Sequence, residues 1–139
     1  AEEFGVRLVA ICLMPNHFHL LVKIEAGGDL SRFMKHVCYT FSRRINRELR
    51  RTGTVFQGRF QAKHAGTTSY VQQLCMYIHA NPVRAGLVHA PEEWEFSNYA
   101  EVLGRRDVLP TDSEFVRRFF GSVPDDKTVA EELAGRRSL

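Results

Sequence analysis

Apolar and polar positions divide the chain into short solid runs and longer periodic stretches. Val6 to Met14 reads Val-Arg-Leu-Val-Ala-Ile-Cys-Leu-Met, apolar and rich in β-branched residues, and stops at Pro15-Asn16. A second apolar run, Phe18 to Ile24, follows at once and is interrupted by His19. Both runs are strand-sized and Pro-Asn is turn chemistry, so two strands joined at Pro15-Asn16 are predicted. Ala26-Gly27-Gly28-Asp29 reads as a loop. Phe33, Val37, Phe41 and Ile45 then recur at four-residue steps. That stripe predicts a long helix, capped by Ser31, facing a core and running to about Arg51. Thr52-Gly53-Thr54 ends it, and Phe56-Gln57-Gly58-Arg59-Phe60 leads to a short strand expected near Ala62 to Ala65. A second helix is expected from Ser69, with Gln72 in capping-box spacing and Val71, Leu74, Cys75 and Ile78 on its apolar face. Pro82 disfavours helical geometry in the residue before it, so the helix should stop near Asn81. The aromatic cluster Trp94, Phe96 and Tyr99, a helical stretch from Ser113 to Phe120 and a helix near Val129 to Ala134 complete the pattern. The class is α+β, with one domain over 1–104 and a helical extension over 105–139.

Composition narrows the setting. The chain has 139 residues, 44% of them hydrophobic, which is enough for one core. No apolar stretch nears the roughly 20 residues that span a bilayer, and no signal-peptide pattern is present. Cys12, Cys38 and Cys75 are odd in number, far apart and set among apolar neighbours. They read as buried thiols in a reducing compartment, so a cytoplasmic protein with no membrane partner is expected.

The net charge of +3 conceals an uneven distribution. Ser31 to His64 holds nine basic residues (Arg32, Lys35, Arg43, Arg44, Arg47, Arg50, Arg51, Arg59 and Lys63) against one acid, Glu48. Acids collect instead in the last third, at Asp112, Glu114, Asp125, Asp126, Glu131 and Glu132. A localised basic segment is the footprint of an anionic polymer partner, and also the pattern of a solvated helix face. Charge alone leaves both open.

Candidate chemistry sits at two places. His17 and His19 are two apart at the start of a strand, where i and i+2 share a face, so both imidazoles aim at one point. That suits a divalent metal, though His-x-His also arises incidentally. Tyr77 and Asn81 are four apart on a helix and share a face, with Gln73 one turn earlier. Asn81 offers a carbonyl oxygen as a hard ligand. Tyr77 offers a phenol that, as phenolate, is a nucleophile toward phosphorus. A tyrosine half-buried at a helix edge fits the same spacing.

Three blocks carry a family resemblance: Leu13-Met14-Pro15-Asn16-His17-Phe18-His19-Leu20-Leu21-Val22, then Phe56-Gln57-Gly58-Arg59-Phe60, then Tyr77-Ile78-His79-Ala80-Asn81-Pro82-Val83-Arg84-Ala85-Gly86-Leu87-Val88. In this order they closely resemble the REP-associated tyrosine transposases, relatives of the single-tyrosine insertion-sequence transposases within the His-hydrophobic-His endonuclease superfamily. The later Trp94-Glu95-Phe96-Ser97-Asn98-Tyr99 is similar to the family's next segment, and the match covers roughly residues 5 to 100.

The resemblance implies a ferredoxin-like antiparallel sheet with helices on one face. The family's first strand and most of its first helix lie upstream of the matching segment. Ala1 to Gly5 then reads as that helix's tail, and a sheet without the N-terminal strand, with an unpaired edge, is expected. It also implies that His17, His19 and Asn81 hold magnesium or manganese and that Tyr77 is the nucleophile. The enzyme would cleave single-stranded or hairpin DNA and transfer the strand through a 5′-phosphotyrosine intermediate. Arg43, Arg44, Arg47, Arg50 and Arg51 are expected on backbone phosphates, and Gln57 and Arg59, beside Phe56, on an unpaired strand. Phe56 and Phe60 fit a core role equally. A relative that binds folded DNA or RNA without cutting it is the alternative, and monomer and homodimer both remain open.

Overall fold

The computed structural model describes residues 1–109, 111, 112, 115 and 116. Of the stretch expected as helix from Ser113 to Phe120, only Phe115 and Val116 are described, both helical. The helix expected near Val129 to Ala134 and most of the extension 105–139 lie outside the described residues. The chain forms two compact units, 1–6 with 24–64 and 7–23 with 65–139.

In the first unit, Glu2–Phe4 forms one turn of 3-10 helix closed by Gly5 at φ 61°. A Cβ on Gly5 would stand 2.7 Å from the Gly28 Cα, so the two glycines let the chain entering the first strand cross the chain leaving the second. Helix α1 spans Leu30–Glu48. Its cap is Asp29 and not the expected Ser31: the Asp29 carboxylate accepts from the Arg32 amide at 2.9 Å, which satisfies one of the free donors of the first turn.

The expected core stripe is buried only at its start. Phe33 packs edge-on against Phe4 (ring centroids 5.9 Å) and Met34 is buried beside it in sequence. Val37 and Phe41 remain 37% and 46% exposed, with the Phe41 ring 5.8 Å from the half-buried Phe56 ring. The strand expected near Ala62 to Ala65 is absent. Those residues are non-helical and mostly exposed, with no ladder partner, and an extended segment without a neighbour gains no strand hydrogen bonds.

Arg50 follows the end of α1 with φ 48°, the one positive φ of a non-glycine residue among the described residues. Its side chain is exposed, so little compensates for a left-handed residue bearing a Cβ. Arg50→Gly is therefore expected to raise stability by roughly 0.5–1 kcal/mol, read as a higher urea midpoint.

β1 (Val6–Leu13) and β2 (Phe18–Ile24), which belong to the second unit except for Val6 and Ile24, form a two-stranded antiparallel sheet, both strands within a residue of the expected bounds. The turn at Pro15-Asn16 is closed by the Met14 amide donating to the His17 carbonyl at 2.9 Å. Where an unpaired sheet edge is expected, β1 is covered over Ile11–Leu13 by a third segment, Phe96–Asn98. This runs antiparallel through the Cys12–Ser97 bridge, with Leu13 N–H donating to Phe96 O at 2.9 Å.

Helix α2 spans Thr68–Arg84 and is capped by Thr67, whose hydroxyl accepts from the Tyr70 amide at 3.3 Å. The Ser69–Gln72 capping box is thus displaced by two residues. The helix also runs through Pro82 instead of stopping at Asn81. In the last turn the missing N–H costs a single bond. Ala85, Gly86 and Leu87 still donate back to Asn81, Val83 and Pro82, each at 2.9 Å. Cys75 and Ile78 press α2 onto Val9, Ala10, Cys12 and Leu21 of the sheet, with Val102 of α3 (Tyr99–Val102) and Val116 completing the core.

Burial pushes the Cys12 and Cys75 thiols up to about 11 and about 12, so both stay protonated; Cys38 is half-buried, not buried as expected. Arg106 forks onto the buried Glu101 at 2.7 and 2.9 Å and pins the chain that follows α3. Burial raises the Glu101 carboxyl, but hydrogen bonds from Arg106 and the Leu109 amide outweigh it and hold the group below its ordinary value. Among the described residues no helix is long and apolar enough to cross a membrane.

Candidate functional site

The second unit brings three of the four predicted centre residues into one line of contacts. The turn after β1 delivers His17 to the threshold of β2, and His19 follows within the strand. Alternation along an extended chain then puts both rings on one side. Their Nε2 atoms stand 3.1 Å apart, with the rings perpendicular at 4.9 Å between centroids. His17 Nδ1 donates to Asn16 Oδ1 at 2.7 Å. That bond places the proton on Nδ1 and leaves the Nε2 lone pair facing His19. Burial, and then the neighbouring His17, push His19 below the usual histidine range, which favours the neutral, ligating form. From α2, Tyr77 meets the His19 ring edge-on at 5.9 Å. Tyr77 is 38% exposed.

This donor pair suits a divalent ion. Two nitrogens in adjacent positions around one octahedral ion, each at about 2.1 Å, would stand about 3.0 Å apart. Among the described residues no three His, Cys, Asp or Glu side chains cluster, so further ligands must be of another type. Asn81, one turn beyond Tyr77, makes no hydrogen bond to either histidine. Its side-chain amide nitrogen is buried without a partner. A half-turn of that amide exchanges nitrogen for carbonyl oxygen, an acceptor that a cation would satisfy. Gln73 is exposed.

Behind the site, the amide of the fully buried Asn98 acts as a side-chain piece of the β-ladder. Its Oδ1 accepts from the Ile11 amide at 2.8 Å and its Nδ2 donates to the Val9 carbonyl at 3.0 Å. The same Oδ1 accepts from His79 Nε2 at 2.8 Å, tying α2 to β1 two residues from Tyr77. Cys75 Sγ approaches the other ring nitrogen at 3.9 Å. Burial drives His79 down to about 4, against the opposing pull of the Asn98 bond and of Glu101. His79 is therefore a neutral structural group and not a ligand.

The predicted DNA-binding residues Arg43, Arg44, Arg47, Arg50, Arg51, Gln57 and Arg59 all belong to the first unit, and all are exposed. Arg44 pairs with Glu48 at 3.0 Å. Among the described residues none of the other six has a carboxylate partner. Phe60 is 40% exposed, not core.

The sequence profile of the family described as IS200-like transposases matches residues 1–81. The chain belongs to the IS200-like transposase family. One relative is a Haemophilus influenzae protein assigned by name to the REP-associated tyrosine transposases, 27% identical over 138 residues, covering 91% of this chain and 73% of the relative. A solved structure of a REP-associated tyrosine transposase, bound to a REP hairpin, shares the fold at a TM-score of 0.63 and 19% identity, over 80% of this chain and 72% of that one. Both relatives come from the transposase group that the three sequence blocks resemble.

Two residues of the site carry no candidate role in the sequence pattern, Asn16 and Asn98, and Asn16 stands inside the first of the three blocks. Asn98 carried no local signal, since its partners lie 19 to 89 residues away.

Proposed function

We propose that this chain cleaves single-stranded or hairpin DNA and transfers the strand through a covalent link to Tyr77. The observation that carries the reading is the continuous contact of His17, His19 and Tyr77. A nucleophile stands beside a pair of converging ligand atoms, which is the minimum a phosphodiester-cleaving centre needs. The reading begins with attack of the Tyr77 oxygen on phosphorus. A P–O bond to tyrosine forms as the bond to the 3′ oxygen breaks, and the phenolic proton is balanced by the proton gained at the freed 3′-hydroxyl. That hydroxyl attacks the phosphotyrosine in the reverse sense to reseal or transfer the strand. The bond energy is conserved, so no nucleotide cofactor is required. The three rings meet within one chain, which supports cleavage by a chain's own tyrosine.

His17 and His19, joined by Asn81 once its amide turns, would hold magnesium or manganese. When bound, the ion supplies Lewis-acid polarisation of the phosphate. Asn16 fixes the His17 tautomer and ring orientation. Removal of such an outer hydrogen bond typically weakens a metal about 10- to 100-fold, so Asn16→Ala should weaken manganese binding by that factor in calorimetry. Unchanged affinity would remove Asn16 from the site.

A DNA hairpin with single-stranded flanks is the substrate favoured by the REP hairpin of the solved relative. Exposed arginines along α1 suit backbone phosphates, giving affinity that falls steeply with salt. The test incubates the protein and manganese with labelled hairpin DNA and looks for a protein–DNA adduct that survives denaturation. An adduct abolished by chelation supports the proposal. Binding that survives chelation with no adduct under any condition would instead establish a hairpin-binding relative without cleavage.

A further inference from the structure

Arg84 has no part in the reading above, yet its position is specific. It follows Tyr77 by seven residues and Asn81 by three, so two turns of α2 bring all three to one face. The guanidinium carbon stands 5.1 Å from the centroid of the Tyr77 ring, the same ring that His19 meets at 5.9 Å. Tyr77 is thus flanked by an imidazole from the sheet and a guanidinium from its own helix.

Ordinary structural roles account for this incompletely. A cation in the last turn complements the helix dipole, but any basic residue there would do so without touching Tyr77. Among the described residues no carboxylate pairs with Arg84, and its side chain is exposed. An exposed cation–π contact is worth only about 0.5–1 kcal/mol. That contact engages the charge and leaves the N–H donors free. Five donors in a rigid planar fork therefore lie next to the phenol, with no hydrogen-bond partner among the described residues. Such a fork matches two oxygens of one phosphate, which a lysine ammonium does not.

We propose that Arg84 is a catalytic residue whose guanidinium binds the two non-bridging oxygens of the phosphate that Tyr77 attacks. The inference rests on the assignment of Tyr77 as nucleophile. Arg84 exchanges no proton in the step: it holds the same two oxygens while the tyrosine–phosphorus bond forms and the bond to the 3′ oxygen breaks. Its work is to set the phosphorus beside the phenol and to take up charge that grows on those oxygens.

The test separates this contact from cleavage itself. In the full chain carrying Tyr77→Phe, no bond is cut, and affinity is measured for a DNA hairpin with single-stranded flanks. Single neutral methylphosphonate linkages are then placed in turn along the strand. One linkage should weaken binding about tenfold when Arg84 is present, and that linkage alone should lose its effect when Arg84→Ala is added. In the chain that keeps Tyr77, Arg84→Ala should slow adduct formation at saturating DNA about 10²-fold while lowering the thermal midpoint by no more than a few degrees. Arg84→Lys, which keeps the charge but not the fork, should fall between the two. The proposal is overturned if no linkage depends on Arg84, or if the Ala and Lys variants both form adduct within about threefold of the parent. A parent chain that forms no adduct overturns the nucleophile assignment instead, and the methylphosphonate series still decides whether Arg84 grips a phosphate.

Discussion

Tyr77→Phe is expected to abolish the covalent protein–DNA adduct, with a fall in cleavage rate of at least about 10⁴-fold, while hairpin affinity changes little. The substitution removes one oxygen and nothing else. That oxygen makes no hydrogen bond within the described residues, and the ring is 38% exposed. The ring itself, which carries the contacts with His19 and Arg84, remains. Stability should therefore stay within about 0.5 kcal/mol of the parent. Denaturing gels of labelled hairpin, beside a binding isotherm and a melting curve, read all three quantities. An adduct that persists in the phenylalanine variant would place the nucleophile elsewhere.

Asn98→Ala should produce the largest loss of stability of any single substitution discussed here, about 3–5 kcal/mol. It strands three groups at once: the Ile11 amide, the Val9 carbonyl and the His79 ring. Each unsatisfied buried group costs about 1–3 kcal/mol, and partial entry of water keeps the total below the simple sum. For a domain of ordinary marginal stability this approaches unfolding, and a urea titration of the variant measures it.

The same network gives the fold an acid-sensitive edge. His79 titrates near 6.5 when unfolded and at about 4 when folded. Above pH 6.5 both states are neutral there and the residue adds no pH dependence. Between 6.5 and 4 the unfolded chain takes up a proton that the folded chain refuses, so stability falls with falling pH, by about 3 kcal/mol in all. The charged groups around it do not reverse that sign: the Cys75 thiol is protonated throughout, and the attraction of Glu101 is already included in the lowered value. His79→Gln should be less stable at neutral pH and should lose that part of the acid slope.

Much of the site is legible in the sequence. Solid apolar, β-branched runs and a Pro-Asn turn suffice to place β1 and β2, and strand alternation, a local property of the backbone, then puts the paired histidines on one side. Helical spacing likewise places Tyr77 and Asn81 on one face, and would have added Arg84 at i+7. The caps were harder. Ser31 and Ser69 are good capping residues, but Asp29 and Thr67 lie two positions earlier and their side chains reach the free amides first. Pro82 costs the helix less than its local geometry implies, because in the last turn the carbonyls find other donors.

What the amino-acid sequence determined by itself was the inventory and its periodicity: two strands, two long helices of which the first is basic, a histidine pair and a tyrosine. Only the tertiary structure decided which of these meet. The approach of Tyr77 to His19 and the closing of the β1 edge by Phe96–Asn98 depend on packing between segments far apart in the chain. Asn98 shows the reason most plainly. An asparagine in a loop has no preferred long-range partner until burial removes water, and it then takes whichever donors and acceptor the packed sheet and helix leave unpaired.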